Sequence, residues 1–148
     1  MRFAGTSPEP EAACRAYEEE VRAAGGYDLA VLGLGANGHL GFNEPPVNPH
    51  SPTRVVALRK ETVESNASYW GGCARVPRRA VTAGMDVLLA ARQILLLVSG
   101  TRKRGVLRRT IEGPIAPALP ASYLRRAPNV TVIADEAAWR SDDVGPPD

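Results

Sequence analysis

Cysteine is scarce: the 148 residues hold only two, Cys14 and Cys73, far apart and in no metal-ligand spacing. A Cys-based metal centre is excluded, and the pair reads as reduced thiols of a cytoplasmic protein. Lysine is scarcer in effect, since Lys60 and Lys103 stand among arginines that carry nearly all the positive charge. The net charge of +2 is too small to imply a nucleic-acid or membrane partner. No apolar run approaches the ~20 residues needed to span a bilayer. Behind Met1 to Gly5 there is no apolar segment, so no signal peptide is expected. The sequons at Asn66 and Asn129 then read as chance matches. What is present is ordinary for one soluble domain with a core: 44% hydrophobic and 23% charged residues.

In chain order, Thr6 or Ser7 with nearby prolines reads as a helix start. Ala13, Tyr17, Val21 and Ala24 then form one helical stripe, with Glu18, Glu19 and Glu20 on a wet face. Gly25-Gly26 ends that helix. Leu29 to Leu32 reads as a buried strand, followed by an irregular stretch from Gly33 to about Thr53 that is rich in proline. Its apolar Leu40 and Phe42 argue that this long loop is anchored. Strands are expected at 55–58, 80–83, 93–99 and 131–134, and helices at 60–70, around 85–89 and at 100–111. The continuous apolar run from Gln93 to Ser99 suggests a parallel strand buried on both faces. Alternation of strands and helices predicts an α/β fold with a parallel sheet. The tail, 142–148, is expected to fray.

The chemistry concentrates after the first strand, in Gly33-Leu34-Gly35-Ala36-Asn37-Gly38-His39-Leu40-Gly41-Phe42-Asn43-Glu44-Pro45. A glycine-rich turn at the carboxyl end of a strand is where an open α/β sheet places its ligand. Gly33, Gly35 and Gly38 spell GxGxxG, but a Pro-rich loop follows instead of a helix. No acid lies between Thr53 and Arg59, where a dinucleotide ribose would need one. No nicotinamide or flavin cofactor is therefore expected, nor a metal. His39 with Glu44 offers a proton shuttle, because a carboxylate near an imidazole fixes its tautomer and raises its basicity.

The string from 35 to 45 resembles the Gly-Asp-Gly-His-Ile-Ala-Phe-Asn-Glu-Pro signature of the glucosamine-6-phosphate deaminase (isomerase) family, which shares its fold with 6-phosphogluconolactonases. The likeness continues at Thr53-Arg54-Val55, Val76-Pro77, Ala80 to Gly84, Leu97 to Gly100, Lys103, Glu112-Gly113 and Asp135-Glu136. It covers residues 8 to 139. The resemblance implies a Rossmann-like three-layer fold, incomplete at the amino terminus, with 1–148 as a single partial domain. It also implies a cytoplasmic enzyme of amino-sugar metabolism, classed among hydrolases, isomerases and deaminases. That enzyme converts a hexosamine 6-phosphate to the ketose phosphate and ammonia. Carried over, His39 opens the sugar ring, Glu44 orients or tunes it, and Asn37 belongs to the same catalytic group. Gly35, Gly38 and Lys103 contact substrate, with Lys103 on the phosphate. A homo-oligomer is compatible with this reading.

The chain departs from the pattern at three points. Asn37 stands where the family commonly has aspartate, and the Asn-Gly-His form, like Leu119-Pro120-Ala121-Ser122, resembles the galactosamine-6-phosphate branch; the epimer stays open. Ser68 stands where many members carry a phosphate-gripping arginine, a role Arg54 or another base would have to fill. The chain is also short, lacking the family's glycine-rich phosphate loop and the aspartate base, which suggests a fragment. Two alternatives follow: a sugar-phosphate sensor without turnover, or a lactonase, against which Glu44 argues.

Overall fold

The computed structural model describes residues 7–140; the expected Thr6 cap and the 142–148 tail lie outside them. The first helix, α1, spans Pro10–Ala23 and stops at Gly25 and Gly26, both left-handed at φ +85° and +88°. Glycine alone adopts that backbone without strain, and the Gly26 N–H closes the turn on the Val21 carbonyl at 2.9 Å. The buried face of α1 is Cys14, Glu18 and Val21; of the predicted stripe Val21 is buried, Ala13 and Tyr17 are half-buried and Ala24 is exposed. Glu18 is the reason. Its Oε1 accepts the Thr53 N–H at 2.6 Å and its Oε2 accepts from Arg22 at 3.1 Å. A buried backbone donor in the long loop has to be satisfied, and this carboxylate does it. Glu18 is thus a structural brace rather than part of a solvated face.

Strands β1 (Leu29–Gly33), β4 (Gln93–Val98) and β5 (Val130–Ala134) form a parallel sheet in the order β1-β4-β5. The predicted α/β class with a parallel sheet holds for these three. The strands β2 (Arg54–Ala57) and β3 (Arg79–Thr82) instead pair antiparallel with each other, Arg54 opposite Thr82. Alternating element order does not encode strand direction. Here α2 (Lys60–Trp70) and the turn after it carry the chain back to the end it left.

One face of the parallel sheet is packed. Ala30, Ile94, Leu96 and Val98 sit in a core with Met85 of α3 (Met85–Leu89), Val106 and Leu107 of α4 (Arg104–Glu112), and Leu119, Tyr123 and Leu124. The other face is open. Leu29 (53% exposed), Val31 (56%), Leu97 (44%) and Ile133 (54%) share it by register. The expectation of a strand buried on both faces therefore fails for β4, and β1, expected to be buried, is buried on one face only. Their apolar runs reflect two apolar faces, of which the described residues cover one. No described helix is long and apolar enough to cross a membrane.

Candidate active site

The loop leaving β1 is held by its own backbone and by one buried amide. Gly35 N–H donates to the His39 carbonyl and Gly38 N–H to the Gly35 carbonyl, both at 3.0 Å. Of the two predicted anchors, Leu40 is fully buried and pins the loop to the core, and Phe42 is half-buried. Asn43 is also fully buried; its Nδ2 donates to the carbonyls of Leu40 (3.1 Å) and Ala83 (2.8 Å), and its Oδ1 accepts from Arg54 at 2.9 Å. Such a satisfied polar knot defines one loop geometry.

His39 emerges from this loop in one orientation. Its Nδ1 lies 2.7 Å from Asn37 Oδ1, and the same oxygen accepts the His39 backbone N–H at 3.2 Å. An oxygen that accepts from the backbone also accepts from the ring, so Nδ1 carries the proton and Nε2 keeps a free lone pair. The ring lies against Gly35, where any Cβ would collide with it. Burial pushes the His39 pKa below its ordinary value, Glu44 pulls it up and Lys103 pushes it down. A neutral imidazole with a free Nε2 is a proton acceptor near neutral pH.

His39 opens onto a cavity of about 740 Å³ walled by Gly35, Asn37, Arg59, Thr62 and Lys103 among others. Lys103 ends the short 3-10 turn Thr101–Lys103 and caps α4. It makes no salt bridge among the described residues, and burial lowers its pKa. An unpaired cation beside a helix start suits an anionic group.

Two predicted site residues sit elsewhere. Gly38 is behind the wall at φ +82°: a Cβ there would strike Leu119, and its carbonyl accepts the Ala121 N–H at 2.8 Å. Gly38 shapes the loop, and the 119–122 segment braces it from behind. Glu44 lies outside the cavity wall as well, with a side chain only 9% exposed. Its Oε1 accepts the Thr62 hydroxyl, and its Oε2 lies 3.3 Å from Arg59 Nε. It does not orient the imidazole; Asn37 does, and Glu44 acts on it through charge alone.

Arg54 is committed to Asn43 and the Pro52 carbonyl, and Ser68 is exposed away from the cavity. Arg59 is the additional cation that reaches the wall, with Glu61, Thr62 and Ser65 beside it on α2. Sequence reasoning missed these four. The available signal was the spacing of 61, 62 and 65, which puts them on one face of a helix whose limits were legible.

A family model described as "Glucosamine-6-phosphate isomerases/6-phosphogluconolactonase" matches residues 1–133. The glucosamine-6-phosphate deaminase of Rhodopirellula baltica is 48% identical over 134 residues, which is 90% of this chain and 53% of that protein. Glucosamine-6-phosphate deaminase 2 of Bacillus subtilis is 44% identical over 136 residues, covering 90% and 55%. The solved structure of a monomeric glucosamine-6-phosphate deaminase superposes with a TM-score of 0.88 at 41% identity, covering 90% of this chain and 55% of that one. A 6-phosphogluconolactonase from Trypanosoma brucei, at TM-score 0.65 and 18% identity, shares the fold alone. The chain spans about half the length of the curated relatives it matches. The expected hydrolase label is overturned: relatives at 41–48% identity are deaminases of isomerase type. The matched residues run through the histidine loop, both sheets and the Lys103 turn, and the chain belongs to the glucosamine-6-phosphate isomerase/6-phosphogluconolactonase family.

Proposed function

We propose that this chain, as a single partial domain, carries the ring-opening and anion-holding part of a hexosamine-6-phosphate deaminase/isomerase. The observation that carries this reading is the His39 Nδ1 to Asn37 Oδ1 hydrogen bond of 2.7 Å, which leaves Nε2 free beside a cavity that also holds Lys103. In this reading His39 Nε2 moves a proton to and from the sugar ring oxygen. Asn37 holds the tautomer, Glu44 tunes the imidazole by charge, and Gly35 gives the ring room. Lys103 holds the phosphate. Aldose–ketose isomerisation and loss of ammonia then follow in the complete active site. The substrate is glucosamine 6-phosphate or its galactosamine epimer, and the setting is cytoplasmic.

The test is ammonia release from each epimer by the full-length form that contains this sequence. Release from one of them supports the reading, and release from neither ends it. Light scattering tests the homo-oligomer expectation; the relative described as monomeric favours a single copy.

A second reading, sugar-phosphate binding without turnover, draws on one observation. Among the described residues, Glu61 is the one carboxylate that lines the cavity, and it sits exposed on α2. Enolisation needs a base at C2. Calorimetric binding of a hexosamine 6-phosphate with no ammonia released favours this second reading.

A further inference from the structure

Arg59 stands between the buried carboxylate and the cavity. Its Nε faces Glu44 Oε2 at 3.3 Å and its Nη2 donates to the Pro45 carbonyl. Half of its side chain, 50%, is still exposed, and it forms part of the cavity wall. Glu44 Oε2 is buried and accepts no hydrogen bond from the described residues, among which Arg59 is the cation that compensates it.

We propose that Arg59 is a positioning residue that couples an anion in the cavity to the imidazole of His39 through the carboxylate of Glu44. The inference rests on the deaminase reading for the role of His39. The coupling follows from competition between two anions for one cation. Arg59 is held by the Glu44 ion pair and by the Pro45 carbonyl, yet half of its side chain is exposed at the cavity wall, so an anion there competes with Glu44 for it. A buried carboxylate that loses its cation is strongly disfavoured and favours the protonated form of an imidazole within reach of its field. His39 is such a group, since Glu44 already acts on it. The empty site therefore keeps the imidazole a weaker base. Entry of a phosphorylated substrate draws Arg59 away from Glu44 and makes His39 a stronger one, so proton transfer is favoured only when there is something to react.

The charges around the imidazole are few. Glu44 comes from its own loop, Lys103 from the turn before α4, Arg59 from the position just before α2, and Glu61 from α2. Of these, Glu44 and Lys103 act on the ring directly. Arg59 reaches it through Glu44.

The chain has two histidines, so NMR titration of the imidazole C–H signals reads His39 against exposed His50 as an internal reference. The proteins compared are wild type, Arg59→Met, Arg59→Lys, Glu44→Gln and the Glu44→Gln/Arg59→Met double variant, each with and without inorganic phosphate. Arg59→Met is expected to raise the His39 pKa, and Arg59→Lys to leave it at the wild-type value. In the Glu44→Gln background, Arg59→Met is expected to change nothing. Phosphate is expected to raise the His39 value more in wild type than in Arg59→Met. If Arg59→Met leaves His39 unmoved, or moves it equally with and without Glu44, the coupling is wrong. Should Arg59→Met not fold, Arg59→Gln carries the same two outcomes. The coupling pattern without ammonia release from the full-length form removes the deaminase reading alone. Ammonia release without the pattern removes the coupling alone.

Discussion

Strand β1 carries two regions that contrast sharply. At its carboxyl end, the histidine loop rests on Leu40 and Asn43, both fully buried, and each donor and acceptor of Asn43 used in the knot has a partner. Along its side, Leu29 and Val31 stand more than half exposed on an uncovered apolar face. The same five residues thus launch a tightly held loop and border an uncovered apolar face. The difference teaches that the histidine loop is held by the packed face beneath it and by the β3–α3 junction. An apolar patch rimmed by polar residues is an association or aggregation surface.

The contrast can be broken most severely at the imidazole. His39→Asn should cost the full-length form about 10²–10⁴-fold in ammonia release, the usual worth of a general acid–base group, while leaving the fold intact by circular dichroism. Next comes the loop anchor. Leu40→Ala should lose about 2–5 kcal/mol in urea unfolding, the range for emptying a packed site. A loss under ~0.5 kcal/mol there would mean that the loop is no better held than the open face. Gly38→Ala should cost about 1–2 kcal/mol, because its left-handed backbone and the contact with Leu119 both resist a methyl group.

The pH dependence is a subtler probe. Burial lowers the His39 pKa below 6.5, so between those two values the unfolded chain binds more protons than the folded one. Stability contributed by neutral His39 is therefore complete above 6.5 and is lost as pH falls through the lowered folded value. Asn37→Asp places a carboxylate on Nδ1 and should raise the His39 pKa by NMR, reducing that acid-side loss. An unmoved value would show that position 37 does not set the ring's basicity. The smallest effect belongs to the open face: Val31→Thr should change stability by less than about 0.5 kcal/mol while reducing self-association in light scattering. A large loss of stability would mean that the face is not open in solution.

Much of this was legible before the coordinates. Leu40 as the loop anchor, Gly25-Gly26 as a helix stop, the short helix at Met85–Leu89 and the limits of α2 follow from local spacing and turn chemistry. Of the expected site residues, Gly35, Asn37, His39 and Lys103 line one cavity, and Gly38 and Glu44 do not. What misled was the inference of environment from composition. Glu18 looked solvated within an acidic triplet, yet a backbone N–H at Thr53, 35 residues away, required it. The apolar run of β4 looked doubly buried, yet Leu97 is 44% exposed. Glu44 looked like the partner of His39 from its spacing, yet Thr62 and Arg59 occupy its oxygens.

The partner that holds the imidazole, expected at Glu44, is Asn37; what local chain chemistry specified is the turn and the class of fold. These depend on residues within a few positions of one another and on preferences each residue carries with it. Tertiary structure alone decided that β2 and β3 run antiparallel, that Gly38 and Glu44 stand behind the wall, and that Arg59 stands in it. Those outcomes rest on contacts between residues distant along the chain, where a partner's position, rather than a residue's own propensity, sets the energy.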